Sequence, residues 1–242
     1  MFETRDHGGD HLRSLIDAVA VFPPLLSRCD GIESPFRNCH PYVKLVLIAQ
    51  APCGRLVLHN VEGAVMDCIL VRHGIAVEPD EWEGAEENRP LTEKGKRRAR
   101  QVAEGLAALD CQPTHLYTSP FVRAYDTTRL LRAVICPTLK VETREELAVG
   151  AKPEQLVTFL HALPPDAVVI CVGHEPQLGE MVSLLLCGKA LPNFPLKKAG
   201  AACLELADGF KPGQGRLRWW LQPMQLRALG KRMHGKKRAG ES

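Results

Sequence analysis

No Cys-x-x-Cys pair occurs among the nine cysteines, and their odd number and wide scatter over 242 residues suggest neither a zinc site nor a disulfide framework. A reducing compartment fits such usage. No apolar run approaches the roughly 20 residues that a membrane-spanning helix needs. The opening Met-Phe-Glu-Thr-Arg-Asp-His is polar, without the charged-then-apolar order of a secretory leader. A cytoplasmic protein with no membrane partner is therefore expected. An excess of basic charge is also missing from the body of the chain. Residues 227–242 carry six of the 31 Lys and Arg and one of the 28 Asp and Glu, leaving 25 against 27 elsewhere. That balance gives no electrostatic case for nucleic acid. No internal repeat or low-complexity block occurs.

What is present is a 45% hydrophobic composition, ample for a sizeable core. It is distributed unevenly in pattern. Residues 1–65 hold the apolar fragments LIDAVAVF, YVKLVLIAQA and GRLVLHNV, separated by Pro breaks and without a steady period. Two readings stand for this N-terminal extension. It is a small extra layer of strands or a poorly structured segment, or it is an upstream misread of the start. Met66 stands just ahead of the first clear strand, and Glu62-Gly63-Ala64 can be encoded by GAA-GGA-GCN, a ribosome-binding sequence of bacterial type. A domain over 66–229 comes next, and then a basic tail over 230–242 that is expected to be disordered.

From Met66 short apolar strands alternate with helical periods: DCILV, LTEKGKRRARQVAEGLAAL, HLYTS, PFVRAYDTTRLLRAV, TLKVE, PEQLVTFLHAL, AVVICVG and PQLGEMVSLLL. This order predicts parallel crossover units, hence an α/β fold with helices on both faces of one mostly parallel sheet. Two late strands, AACLELA and RLRWWLQ, are placed as an antiparallel edge. Thr92 is expected to cap the first helix, and Pro120 to sit in the first turn of the second.

In such sheets ligands bind beyond the carboxyl ends of the strands. Those ends carry Arg72-His73-Gly74, then Ser119-Pro120-Phe121-Val122-Arg123, then Gly173-His174-Glu175-Pro176. Two arginines and two histidines thus converge on one edge. Arginine presents a planar fork suited to phosphate, and Gly74 is expected to let backbone approach an anion. Each tripeptide alone is a weak signal; their joint placement at strand ends of one polarity points to a phosphoryl site.

The segments V-R-H-G, R-P-L-T-E-K-G (89–95), S-P-F-V-R-A (119–124) and V-G-H-E-P-Q-L-G (172–179) together resemble the histidine phosphatase superfamily, the phosphoglycerate mutase-like fold. The short length and the W-W-L-Q-P-M-Q-L segment (219–226) resemble its SixA-type phosphohistidine phosphatases. The resemblance covers about Met66 to Leu229 and implies a three-layer α/β/α domain. It implies that His73 is the nucleophile that becomes phosphorylated, that Arg72 and Arg123 hold the phosphoryl group, and that His174 donates to its oxygens. No cofactor or metal is implied. Ester-cleaving members use a carboxylic acid to protonate the leaving group, and Glu146 is the nearest candidate by chain order. A solvated loop carboxylate is an equal reading of it. Phosphohistidine relaxes that demand, because an imidazole can leave protonated near neutral pH.

The chain between Gly74 and Arg89, and between Gly150 and Ala167, leaves no room for a capping insertion. A site without a lid suits a phosphorylated side chain on another protein, such as a bacterial histidine-phosphotransfer domain or phosphocarrier, acted on by a monomer. The acidic run Glu78, Asp80, Glu81, Glu83, Glu86 and Glu87 is read as a solvated face, with a basic partner as the second reading. The rival functions are a small-molecule phosphomonoesterase of the same superfamily and a non-catalytic phosphate-binding module.

Overall fold

The computed structural model describes residues 45–47, 58–60 and 64–239, with side chains within 64–232. Strands β1 (Leu45–Leu47) and β2 (Leu58–Asn60) form an antiparallel ladder of their own, Val46 opposite His59. The rest of the segment 1–63, and the question of its start, lie outside the described residues.

The main sheet has six strands in the order β5-β4-β6-β3-β7-β8. These are β3 (Val65–Arg72), β4 (His115–Thr118), β5 (Glu142–Thr143), β6 (Val168–Gly173), β7 (Ala201–Ala207) and β8 (Arg216–Leu221). β3, β6, β4 and β5 run parallel; β7 and β8 add the antiparallel edge. Five helices complete the domain: α1 (Glu93–Ala107), α2 (Val122–Ile135), α3 (Pro153–His161), α4 (Gln177–Cys187) and α5 (Pro223–Ala239).

Strand alternation divides the core into two layers. Cys68 and Leu70 of β3 and Val169 and Cys171 of β6 pack with Leu156 and Leu160 of α3 and Leu178, Met181 and Leu185 of α4. Their neighbours Ile69, Val71, Ile170 and Val172 face the opposite way, onto Val102, Ala103 and Leu106 of α1 and Leu131 of α2, with Leu226 of α5. Period two on the strands thus fills both faces of a sheet covered by helices. α1 buries Gly95, Ala99, Val102, Ala103 and Leu106, a stripe at helical spacing. Its N-terminus is capped by Thr92, whose hydroxyl accepts from Gly95 N at 2.9 Å, as the sequence predicts.

Three expectations change. Pro120 lies outside α2, because the helix begins at Val122 with Phe121 as its N-cap. The strand expected over TLKVE (138–142) lies instead at Glu142–Thr143, sharing only Glu142 with it and pairing with Tyr117 and Thr118. Edge position explains this: only the end of β4 offers it a partner. The stretch from 230, expected to be disordered, is helical to Ala239. α5 contains no proline after Pro223, and Gly230 brings its backbone against Glu104 and Gly105 of α1, so the helix continues on a packed contact.

That contact makes a test. A Cβ on Gly105 would collide with the Leu226 carbonyl. Gly to Ala inside an exposed helix normally stabilises by about 1 kcal/mol. Here Gly105→Ala is expected to destabilise by about 1–3 kcal/mol through overpacking, read from urea unfolding. A gain in stability would contradict the close approach of α1 and α5.

Candidate active site

Thr118 of β4 pairs with Val172 of β6, Val71 of β3 pairs with the same Val172, and Arg72 pairs with Gly173. The three central strands therefore end at one level and with one polarity. This brings together Ser119 after β4, His174 after β6 and His73 after β3.

The backbone around the first triplet is held from both sides. Arg72 N donates to Gly200 O, His73 N donates to Gly173 O, and Ala199 N donates to both the Arg72 and His73 carbonyls. Ala199 takes φ 63°, the left-handed region, to do so.

His73 is 6% exposed and His174 2%, with ring centroids 5.0 Å apart. His73 Nδ1 lies 2.8 Å from the Gly74 carbonyl. A carbonyl only accepts, so Nδ1 carries the proton and Nε2 of the neutral ring keeps its lone pair. His174 Nε2 lies 2.8 Å from Ser119 Oγ, which itself accepts from Phe121 N. Ser119 Oγ keeps a second lone pair besides its proton, so it can donate to Nε2 or accept from it; where it donates, the neutral ring holds its own proton on Nδ1. That atom is buried without a partner among the described residues.

Arg123, the second residue of α2, is 3% exposed. Its Nη1 donates to the Glu86 carbonyl at 3.0 Å, its Nη2 pairs with Glu86 Oε1 at 3.1 Å, and its guanidinium lies over the Phe121 ring. Phe121 in turn meets His174 edge to face. Arg72 donates from Nη1 to the Leu196 carbonyl at 2.9 Å. Leu196 N donates to Glu175 Oε1 at 2.8 Å, so the residue after His174 braces the loop that holds Arg72. Arg72 Nε and Arg123 Nε join His174 Nδ1 as buried atoms with no partner among the described residues. Such groups are costly to leave unpaired, and donors of this kind suit an oxyanion.

The electrostatics are set by burial. His73 is pushed down to about 2, first by desolvation and then by His174, Arg123 and Arg72. His174 is pushed down to about 3, by desolvation, then Arg123 and Arg72. Both imidazoles are neutral at pH 7. Burial also raises the Glu175 carboxyl. Among the described residues, no group of three or more His, Cys, Asp or Glu side chains could hold a metal ion, and no helix is long and apolar enough to cross a membrane.

A family model described as Histidine phosphatase superfamily (branch 1) matches residues 68–150. An uncharacterized protein of Picosynechococcus sp. (strain ATCC 27264 / PCC 7002 / PR-6) is 33% identical over 141 residues, covering 56% of this chain and 82% of that one. The chain belongs to the histidine phosphatase superfamily. The phosphohistidine phosphatase SixA of Escherichia coli (strain K12) is 26% identical over 165 residues, 67% of this chain and 97% of its own. The solved structure of the protein histidine phosphatase SixA complexed with tungstate is 25% identical with TM-score 0.59, covering 66% of this chain and 99% of that chain. Within the superfamily this chain is of the SixA type.

The four residues singled out in the sequence, Arg72, His73, Arg123 and His174, lie at one end of the sheet, the two histidine rings 5.0 Å apart and Phe121 in contact with both His174 and Arg123. Glu146 lies on the 3-10 turn Glu145–Leu147, half-buried, with its carbonyl accepting from Gln177 Nε2 at 2.6 Å beside the His174 loop. Gly74 has a different task from the one expected. Its N–H is taken by Thr127 Oγ1 at 2.9 Å, and a Cβ would come within 3.3 Å of a Leu91 methyl, so the glycine ties the backbone to α2 and gives room to Leu91. The acidic run is also not wholly a solvated face. Glu86 pairs with Arg89 and Arg123, and Glu78 with Lys198. Sequence reasoning misses Ser119, Thr127, Glu86 and Arg89 as participants, although Arg89 and Ser119 stand within the family-like motifs at 89–95 and 119–124.

The depressed histidines carry a linkage. In the unfolded chain both protonate near pH 6.5, while the folded site stays neutral down to about 3 for His174 and about 2 for His73. Their stability contribution is whole above pH 6.5 and is lost as pH falls through that window, by up to about 1.4 kcal/mol per pH unit for each group. Unfolding free energy measured at pH 7 and pH 5 should fall less in the His73→Asn/His174→Asn double variant than in the wild type. Equal falls would refute the buried neutral state.

Proposed function

We propose that this chain is a metal-independent phosphatase that hydrolyses phosphohistidine on a protein through a phosphohistidine intermediate on His73. The observation that carries the reading is the pair of buried imidazoles beside Arg123, almost wholly buried, and Arg72, partly buried, with His73 Nε2 unprotonated and His174 Nδ1 unpartnered among the described residues. The likeness to SixA, and the oxyanion named with the SixA structure, support it.

In the first step the Nε2 lone pair of His73 forms a bond to phosphorus as the bond from phosphorus to the substrate imidazole breaks. The leaving ring takes that electron pair, and protonation of its other nitrogen makes it a good leaving group. His73 keeps its Nδ1 proton, so the phosphorylated ring is cationic, and the Gly74 carbonyl stabilises it. Arg72, Arg123 and His174 Nδ1–H donate to the three phosphoryl oxygens as charge is redistributed. Water then attacks phosphorus, the P–Nε2 bond breaks, and His73 departs neutral without needing a proton. Phosphate leaves.

The connection between β5 and β6 holds only a 3-10 turn and α3, and that between β3 and α1 only short 3-10 turns. A site with so little above it suits a side chain carried on a protein surface, such as a phosphotransfer domain or phosphocarrier of the bacterial cytoplasm. A second reading, an esterase using Glu146 as acid, draws on the place of that residue beside the His174 loop.

Wild type should dephosphorylate a histidine-phosphorylated protein, and His73→Ala should lose activity by about a thousandfold or more. Equal rates for both would end the enzymatic reading. Glu146→Gln should spare phosphohistidine turnover; if its rate on phosphohistidine falls as far as on p-nitrophenyl phosphate, the esterase reading takes over.

A further inference from the structure

We infer that Glu86 is a positioning residue that sets how Arg123 presents its donors to a bound oxyanion; the inference rests on the phosphate-holding role of Arg123.

Glu86 stands in a run of six acidic residues on the connection from β3 to α1, and its carboxylate behaves unlike that of a solvated loop residue. Arg89 fixes it first: Nε donates to Oε2 at 2.8 Å and Nη2 to Oε1 at 2.7 Å, a planar two-point pairing. Arg89 is itself 8% exposed and anchored by Nη1 on the Val77 carbonyl. The carboxylate so held takes Arg123 Nη2, and the carbonyl of the same residue takes Nη1. One residue therefore occupies a donor on each of the two terminal nitrogens of Arg123. Nε stays buried and without a partner.

A guanidinium has one long edge and two short forks, and only the part not turned to Glu86 remains for a ligand. With one N–H on each terminal nitrogen tied to Glu86, Arg123 keeps three of its five N–H groups for a phosphoryl oxygen: Nε–H, the Nη2 N–H beside it, and the second N–H of Nη1. The stack on Phe121 fixes the plane, and Glu86 fixes the rotation within that plane. Arg72 has no such carboxylate directly on it; its Nη1 goes to a backbone carbonyl. The two arginines of the site are thus set by different means, and of the two Glu86 pairs with Arg123.

A carboxylate this close to an anion site could act in the opposite sense, competing with the oxyanion for Arg123 or repelling it. The two roles give opposite signs in one measurement. Tungstate binding by the full chain, followed by calorimetry, should weaken by about tenfold or more in Glu86→Ala. Glu86→Gln, which keeps an acceptor for Nη2, should recover most of that loss. In an Arg123→Ala background Glu86→Ala should cost little further. If Glu86→Ala does not fold, Glu86→Asp replaces it: the shorter arm should also weaken tungstate, and again only when Arg123 is present. Tighter or unchanged tungstate binding, or the same loss without Arg123, overturns the assignment. Tungstate binding does not depend on which phosphorylated substrate is turned over. A chain that shows this pattern yet leaves phosphohistidine proteins untouched would overturn the proposed function and leave the role of Glu86 standing.

Discussion

A guanidinium withdrawn from water must be met by acceptors, and this constraint organises the site. Arg123 is almost wholly buried, and burial lowers its pKa against the pull of Glu86. The cost of such desolvation is several kcal/mol unless charge and hydrogen bonds offset it. The chain supplies a carboxylate and a carbonyl from one residue on one side, and an aromatic face on another. Arg72 is met by the Leu196 carbonyl and by the nearby charge of Glu175. Two cations kept in place this way then act on their neighbours. Together with burial they hold both histidines neutral, which is the state a nitrogen nucleophile needs.

Much of this is legible in the sequence because it depends on period and polarity. Alternating strands and helices fix that β3, β4 and β6 run parallel, and parallel strands bring their carboxyl ends to one edge. His73 and His174 are then placed at once, being the residues after β3 and β6. Arg123 is legible as part of the S-P-F-V-R-A motif at the start of a helix. What is not legible depends on rotation and on single hydrogen bonds. Glu86 is one of six acidic residues on a loop, and nothing in the spacing separates it from Glu83 or Glu87. Only the fold shows that it faces Arg89 and Arg123. The task of Gly74 escapes the sequence for the same reason: the sequence shows a missing side chain, and the structure shows what that side chain would have met. The short β5 and the long α5 depart from expectation because edge pairing and a packed glycine contact are tertiary facts.

The two arginines also come from different parts of the architecture. Arg72 belongs to β3 and reaches the loop before β7, on the side packed by α4. Arg123 belongs to α2, on the opposite layer. An oxyanion held by both spans the end of the sheet, so its geometry depends on how the two helical layers are seated. The level register of β4, β6 and β3 limits that freedom, since a one-residue slip would turn each strand's core side chains to the wrong face. The paired carbonyls of Arg72 and His73, both bonded to Ala199 N, hold the last turn of the site in the same frame. Ala199 adopts a left-handed conformation to make these bonds, a local cost accepted where His73 is placed.

The same electrostatics limit what can leave. An acid that serves near pH 7 needs a pKa near the working pH. His73 and His174 lie far below it, and the arginines remain protonated throughout. None of these four groups therefore donates a proton to a departing alkoxide. His174 can offer a hydrogen bond through Nδ1, but surrendering that proton would leave an imidazole anion in a buried pocket. A leaving imidazole protonated on its far nitrogen needs nothing from the site, because it departs as a neutral ring. With His73 as the proposed nucleophile, the same arrangement disfavours leaving groups that need an acid. An ester would have to recruit Glu146 from beyond the four central residues, whereas a phosphoramidate would not.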